Sequence, residues 1–484
     1  MGRRPRVLAL DLASGGVSSA LIDSDLKALG TSEIGWAFER AKTGAATLSA
    51  ELVMNAVAEV AKAALVASAP PDAVVVSTMM HTLVVSDDEG HPRTPIFTWL
   101  DRRGTEQVDE FRQRFGPAFH SRTGARYHPM FPVFKLAWLR ARDQALFEAP
   151  YRVTSMKGHL LRQWTGRSAE DFGTASASGL LSLASGGWDD PVLTRLGLER
   201  ESLPPLSAST AVVGKIGATA AARTGIPAGT PVINGGGDGF LANIGSGCED
   251  ASRIAVSLGT TSAVRQFLDR PVVEETAGTF CYRFDANRFL LGCASNNGGN
   301  VLDWARDRWG NLDFDPEVRE NDLPLFIPFL HGERSPFWDS RLREEWVGLR
   351  PDHSTEERSR ATVEGLAFHL ATFVEIVERS SGSHARSVVL SGNGFRFDVV
   401  ARLLASVIPH TVLLPAEPGM ATLRGAARSA YDALNISTSE AMDALSSHAA
   451  RIEPIDDSAL RERFMRFKEA YFEIGRRSNP ISPV

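Results

Sequence analysis

A chain of 484 residues exceeds what one ordinary core holds and points to two or three domains. Hydrophobic residues make up 43% and charged residues 23%, the balance of a soluble globular protein. A net charge of -6 and a pI near 6.0 leave no basic footprint for nucleic acid, so small anions held at local sites are the charged ligands to expect. Three cysteines, Cys248, Cys281 and Cys293, are too few and too unevenly spaced for a disulfide framework or a CxxC metal site, which fits a reducing cytoplasm. The basic start MGRRPR runs into an apolar stretch that Asp11 interrupts, so neither a signal peptide nor a membrane span is expected.

Along the chain, runs rich in Val, Ile and Leu predict strands, and apolar residues at helical spacing between them predict helices, an α/β arrangement. Taken in order these are a strand over Val7 to Leu12, a helix over Glu51 to Ser68, a strand over Ala73 to Ser77 and a helix over Lys135 to Ala149. Strands at Pro231 to Asn234 and Ile254 to Leu258 follow, then a helix over Glu356 to Arg379, a strand at Ser387 to Leu390 and a last helix over Ser458 to Arg477. VLALDLASGG near residue 7 and IAVSLGTTSAV near residue 254 repeat one pattern, an apolar strand entering a small-residue turn before apolar residues resume. Two related lobes, each offering backbone N–H groups to a shared phosphate chain, would produce such a repeat, with the seam at Gly245 to Asp250. The expected division is 1–247, 248–434 and a helical tail 435–484.

The stretch GGGDGFLANIG, Gly235 to Gly245, sets one carboxylate, Asp238, among glycines that let a ligand approach bare backbone. Read as a loop after a strand, it places Asp238 to take a proton from a hydroxyl; an ordinary turn with a capping Asp is the plain alternative. Asp11 at the end of the first strand could hold a hydrated Mg²⁺ beside nucleotide phosphates, or it could be a solvent-facing turn residue. Ser14-Gly15-Gly16 and Gly259-Thr260-Thr261-Ser262 are candidate phosphate loops, and neither carries the Walker lysine.

Together these residues resemble the FGGY carbohydrate kinases from about residue 7 to about residue 432. The resemblance is carried further by Leu323 to Leu349, similar to the family's GERxPxWD region, and by MFPVFKLAWL, Met130 to Leu139, similar to its first signature except at Ala141. It implies two actin-like, ribonuclease-H-like lobes with a cleft between them, Asp238 as general base, Asp11 serving Mg²⁺ and ATP as phosphoryl donor. Within the family, Met79 to Gly90, Thr94 to Arg103, Thr123 to Pro132, Asp238 to Gly245, Thr279 to Phe284 and Ser295 to Trp304 are most similar to gluconokinases. That similarity implies that Met80, His81, Trp99, Asp101, His128, Pro129, Met130, Asn296 and Asn297 lie around the sugar, where His, Asn and Asp beside an aromatic wall suit a polyhydroxylated acid. Ser14, Gly15, Gly259, Thr260 and Thr261 would hold phosphates, and Gly392, Asn393 and Gly394 the adenosine side.

The chain departs from the family on the nucleotide side. Ala13, Gly15 and Ser18 replace a Gly, a Thr and a basic residue of the first turn, Ser262 replaces a Gly of the second, and SGNGFRF puts Phe395 and Phe397 where small residues stand. A lost phosphate contact is one outcome, worth about 1.5–3 kcal/mol; phenylalanines reshaping a purine pocket is another. Lys135 and Lys157 are expected to be solvated at the surface. The implied reaction is ATP-dependent phosphorylation of D-gluconate to 6-phosphogluconate. A kinase for xylulose or another ketose or polyol is one alternative, and a non-catalytic sugar-binding protein with an altered nucleotide site is another. A homodimer is the common prior for the assembly.

Overall fold

The two similar strand-turn-strand runs each start a separate sheet. In the computed structural model, which describes residues 4–65, 70–310, 312, 314, 323–455 and 457–478, strand Arg6–Ala13 pairs antiparallel with Gly16–Asp23 around Ser14-Gly15. Strand Arg253–Leu258 pairs in the same sense with Ser262–Leu268 around Gly259-Thr260-Thr261. The chain divides into two units. The first takes residues up to Gly247 together with Tyr282–Phe289 and Met420–Ala444; the second takes Cys248–Cys281, Leu290–Gly419 and the chain from Leu445 onward.

In the first unit a six-stranded sheet runs in the order Val212–Lys215, Pro231–Gly237, Ala73–Thr78, Arg6–Ala13, Gly16–Asp23, Ala28–Gly35. The strands at Pro231, Ala73 and Arg6 are mutually parallel. Such strands are buried on both faces, which is why they read as unbroken apolar runs. Leu8, Leu10, Leu12, Val74 and Val76 pack with Val53, Val57 and Val60 of helix Ala50–Leu65. Val7, Ala9 and Val75 point the other way and are equally buried, and helix Ala421–Ala433 packs on these same strands.

That helix also lies against helix Asp238–Gly245 at backbone contact. A Cβ on Gly245 would fall 1.8 Å from the Ala421 carbonyl oxygen, and one on Gly425 would fall 1.9 Å from that of Leu241.

The second unit is built on a seven-stranded sheet in the order Phe280–Arg283, Phe289–Ser295, Ser262–Leu268, Arg253–Leu258, Ser387–Ser391, Thr411–Leu414, Ala450–Ile452. Its longest helix, Thr355–Ser381, begins with a capping box in which Ser354 and Glu357 each satisfy the other's backbone N–H. The last helix, Ser458–Ser478, packs on it. There Glu364 is clasped by Arg360 at 3.1 Å and by Arg463 at 2.8 Å, all three buried. Phe467 and Tyr471 are fully buried with Phe368 and His369. The last helix is thus part of the core of this unit.

Most predicted elements agree with those observed to within a few residues. The exceptions have local causes. The helix expected over Lys135 to Ala149 starts at Pro132, whose fixed φ suits a first helical position, and stops at Arg142, because Asp143 is extended; a short 3₁₀ turn, Gln144–Phe147, follows. The helix expected to Ser68 is observed as Ala50–Leu65, and its last expected residues lie outside the described residues. The stretch Gly235 to Gly245 is not a loop: the strand continues to Gly237, and the helix starts at once with Asp238. No helix among the described residues is long and apolar enough to cross a membrane, and the three cysteines are buried thiols, not joined in disulfides.

The helix contact at Gly425 leads to a first prediction. Gly425→Ala should destabilise the protein by about 1–3 kcal/mol, the usual cost of forcing a methyl into a filled space, and lower turnover by displacing the helix that begins with Asp238. Denaturant melts and initial rates on one preparation check both.

Candidate active site

Parallel pairing brings three strand ends to one level. Asp11 lies opposite Ser77, and Thr78 opposite Gly237, so Asp238 is the first residue beyond that row. The carboxyl ends of parallel strands are where α/β folds place ligands. The Ser77 hydroxyl donates to Asp11 Oδ1 at 2.8 Å, and Asp238 Oδ1 accepts the N–H of Gly239 at 2.7 Å. Burial raises Asp11 to about 7, the nearby charge of Asp238 adds to the rise, and the Ser77 bond opposes it.

Two carboxylates so close, with one poorly solvated, are a hard oxygen set that a divalent cation would relieve. Among the described residues, the grouping of three donors that could hold one ion is elsewhere, at Asp87, Glu89 and His91. Asp87 and His91 there already bond each other at 3.1 Å.

Several of the residues expected at the sugar lie in the first unit. Met80 fits because Gly237 has no side chain: a Cβ there would lie 2.8 Å from Met80 Cγ. His81 adopts φ +65°, sets Nδ1 2.6 Å from the Ala177 carbonyl oxygen and meets the Phe131 ring edge-on at 5.0 Å. Trp99 Nε1 donates to Ser14 Oγ at 2.8 Å, so the indole reaches the turn between the first two strands, where Gly15 is exposed. His128 Nδ1 accepts the Met130 N–H at 3.2 Å.

Asp101 is different. It is fully buried, with its carboxylate taken by Arg103 and by the Ala46 N–H, so its side chain positions the segment rather than facing open space.

Lys135 and Lys157, expected to be solvated, are both fully buried. Lys135 Nζ donates to the carbonyl oxygens of His81 at 3.0 Å and Met130 at 2.6 Å, tying the two segments together. Burial lowers it to about 7 against the pull of Asp101, with Arg103 adding to the fall. An ammonium with two carbonyl acceptors and a carboxylate in range can be dry, and that overrides its usual preference for water.

In the second unit, Gly259 and Thr260 are exposed and Thr261 half-buried. Their turn is braced by the start of helix Gly299–Trp309: the Gly299 N–H donates to the Gly259 carbonyl at 2.7 Å and the Asn300 N–H to that of Thr260 at 3.2 Å. A Cβ on Gly298 would fall 2.4 Å from the Thr261 carbonyl carbon. Asn296 donates to the His331 carbonyl at 3.1 Å.

Asn297, expected beside the sugar, is fully buried; its Nδ2 donates to Gly332 O and Glu333 Oε2, and its Oδ1 accepts the His331 N–H. It serves as a latch behind the turn. Ser262, the departure from the family's Gly, donates to the Asn297 carbonyl at 2.7 Å and strengthens that latch.

Gly392 and Gly394 pack against Leu258, the residue before the same turn, at distances no side chain would permit, and Asn393 is exposed. Of the two phenylalanines expected to reshape a purine pocket, Phe395 is buried at 2% exposure and has no free face. Phe397 carries the Arg306 guanidinium 5.0 Å from its ring centre.

Sequence reasoning missed Ser77, Lys135 as a tie between segments, and Glu333. The first two depend on partners far away in the chain. Glu333 sits inside the GERxPxWD-like run, which could have flagged it.

Residues 6–245 match the N-terminal domain of the FGGY family of carbohydrate kinases, and residues 254–434 its C-terminal domain. The chain belongs to this family. It is therefore a sugar kinase, a phosphotransferase with an alcohol as acceptor. It is 30% identical over 365 residues to a gluconokinase from Bacillus licheniformis, covering 71% of each chain. Two solved structures from Lactobacillus acidophilus, a gluconate kinase and a ligand-bound xylulose kinase, are each similar at TM-score 0.89 and 26% identity over 99% of both chains. The two-lobe actin-like fold of the family is the fold of this kinase.

Glu333 leads to a prediction with a definite sign. It is fully buried, and burial raises it to about 8 despite bonds from Ser295, Asn297 and the Arg334 N–H. The folded state then keeps a proton that the unfolded chain releases near its ordinary value of 4.5, so stability falls as pH rises from there to about 8 and levels off above. Glu333→Gln should remove that fall. Its melting temperature relative to the parent should climb between pH 5 and pH 8.5; a constant difference would show that Glu333 is ionised throughout.

Proposed function

We propose that this kinase transfers the γ-phosphoryl group of ATP to the primary hydroxyl of D-gluconate, giving 6-phosphogluconate. The observation that carries the reading is the tie made by Lys135. It joins His81 to Met130, and these belong to two of the six segments that resemble gluconokinases, Met79 to Gly90 and Thr123 to Pro132. A polyhydroxylated acid needs several directional partners in fixed relation, and one buried cation holding both segments supplies that fixity.

In this reading Asp238 takes the hydroxyl proton as general base. Met80, His81, Trp99, His128, Met130 and Asn296 contact the sugar, while Asp101 and Asn297 act behind them by holding those segments in place. Ser14, Gly15, Gly259, Thr260 and Thr261 offer hydroxyls and amides to phosphate oxygens, and Gly392, Asn393 and Gly394 border the nucleoside. Asp11 would hold Mg²⁺, which when bound neutralises phosphate charge. The family's chemistry asks the protein mainly for position and field, which rigid strand ends can supply.

A second reading, a kinase for xylulose, is favoured by the equal likeness to the Lactobacillus acidophilus xylulose kinase. A coupled ADP-release assay with ATP and Mg²⁺ over D-gluconate, D-xylulose and glycerol separates the two. The proposal expects kcat/KM for gluconate to exceed that for xylulose at least tenfold, and the reverse order would replace it with the second reading. Asp238→Asn should lower kcat by ~10²–10⁴, the usual worth of a positioned base, with KM for the sugar nearly unchanged.

A further inference from the structure

Strand Pro231–Gly237 does not run regularly into Asp238. Ile233 pairs with Val75 and Gly236 with Ser77, so Asn234 and Gly235 together stand opposite the single residue Val76. This is a bulge. Gly235 takes φ +66°, and a Cβ on it would fall 2.0 Å from the Val76 carbonyl oxygen. Bulges bend a strand and re-aim the residues that follow. They also free backbone groups from the ladder, and those groups need other partners.

Three of the groups at this bulge have one. The N–H groups of Asn234 and Gly235 donate to the carbonyls of Ala211 and Ser209, both at 2.9 Å. The Asn234 carbonyl accepts from Lys157 Nζ at 3.2 Å, and its Oδ1 accepts from the same ammonium at 2.6 Å. Lys157 itself, near the start of helix Met156–Thr165, is fully buried and lies 2.9 Å from Asp171 Oδ1 and 3.4 Å from Glu170 Oε1. Asp171 then caps the next helix through the Thr174 N–H at 2.8 Å, and a Cβ on Gly236 would touch its Oδ2 at 3.3 Å. Two buried carboxylates would be a poor investment for a packing role alone. Here they hold an ammonium whose remaining donors seize the bulge four residues before Asp238.

We propose that Lys157 is a positioning residue for phosphoryl transfer: by clamping Asn234 it fixes the bulge that sets Asp238 in line with Asp11. This rests on the reading of Asp238 as the base. Because removing Lys157 strands Glu170 and Asp171, Lys157→Met risks failing to fold, and Asn234→Ala is the second variant: it deletes the Oδ1 acceptor, together with the bonds that Nδ2 donates to Ser207 Oγ at 2.9 Å and the Ala208 carbonyl at 3.3 Å, while leaving the charged cluster paired.

The experiment measures, for the parent, both variants and Asp238→Asn, steady-state kinetics with the best acceptor of the sugar panel and amide hydrogen exchange resolved to Gly236–Gly239. The inference expects Asn234→Ala to lower kcat ten- to a hundredfold with KM for sugar and ATP within threefold of the parent. Exchange at Gly236–Gly239 should speed up at least tenfold while global melting stays close to the parent. Lys157→Met, if folded, should do the same more strongly. Unchanged exchange and kcat in Asn234→Ala would overturn the inference and leave Lys157 a packing residue. Full activity in Asp238→Asn would instead remove the base assignment, and the exchange data would still decide whether Lys157 holds the bulge.

Discussion

Parallel register between three strands is the constraint on which the candidate site depends. Backbone hydrogen bonds lock Asp11 beside Ser77 and Thr78 beside Gly237, so two carboxylates from distant parts of the chain come within electrostatic reach of each other. The electrostatic cost shows in Asp11, which burial and its neighbour raise to about 7. A site held by main-chain geometry tolerates such a cost because a strand cannot relax the pair apart without breaking its ladder.

The two units solve the same problem with different materials. In the first, the turn after the opening strand is approached by an indole, Trp99 bonding to Ser14. In the second, the equivalent turn is propped by backbone, with Gly298 and Gly299 pressed against Gly259 and Thr261 and Asn297 latched behind. The departures from the family pattern look different in this light. Ser262 adds a hydrogen bond to that latch, and Phe395 fills core space. Both read as local repacking that leaves the exposed amides of the turn where they were.

Much of this was legible in the chain. Buried parallel strands announce themselves as apolar runs, the repeated strand-turn pattern announces two related sheets, and Asp11 and Asp238 stand out because an acid at the end of such a run has few structural reasons to be there. What stayed hidden depends on pairing at a distance. The bulge at Asn234 and Gly235 needs knowledge of where Val76 lies. Lys135 and Lys157 read as surface residues because charge predicts exposure unless the partners are known, and Asn234, Glu170 and Asp171 cannot be assigned to Lys157 from spacing. The sequence leads one to expect Asn297 and Asp101 at the sugar, but whether a polar side chain faces a ligand or a neighbour is decided by packing alone.

The backbone contact between helices Asp238–Gly245 and Ala421–Ala433 has a consequence for how the protein is made. The strand that carries Asp11 lies in a sheet covered on one face by a helix that leaves the ribosome only after the second unit's Cys248–Cys281 and Leu290–Gly419 have been synthesised. Until then Val7, Ala9 and Val75 lack that cover. The first unit therefore cannot finish folding in order of synthesis, and a fragment ending at Gly247 would expose an apolar sheet face. Completion of the sheet that carries Asp11 therefore waits until synthesis has passed Ala433, and a product truncated before that point would lack the cover on this face.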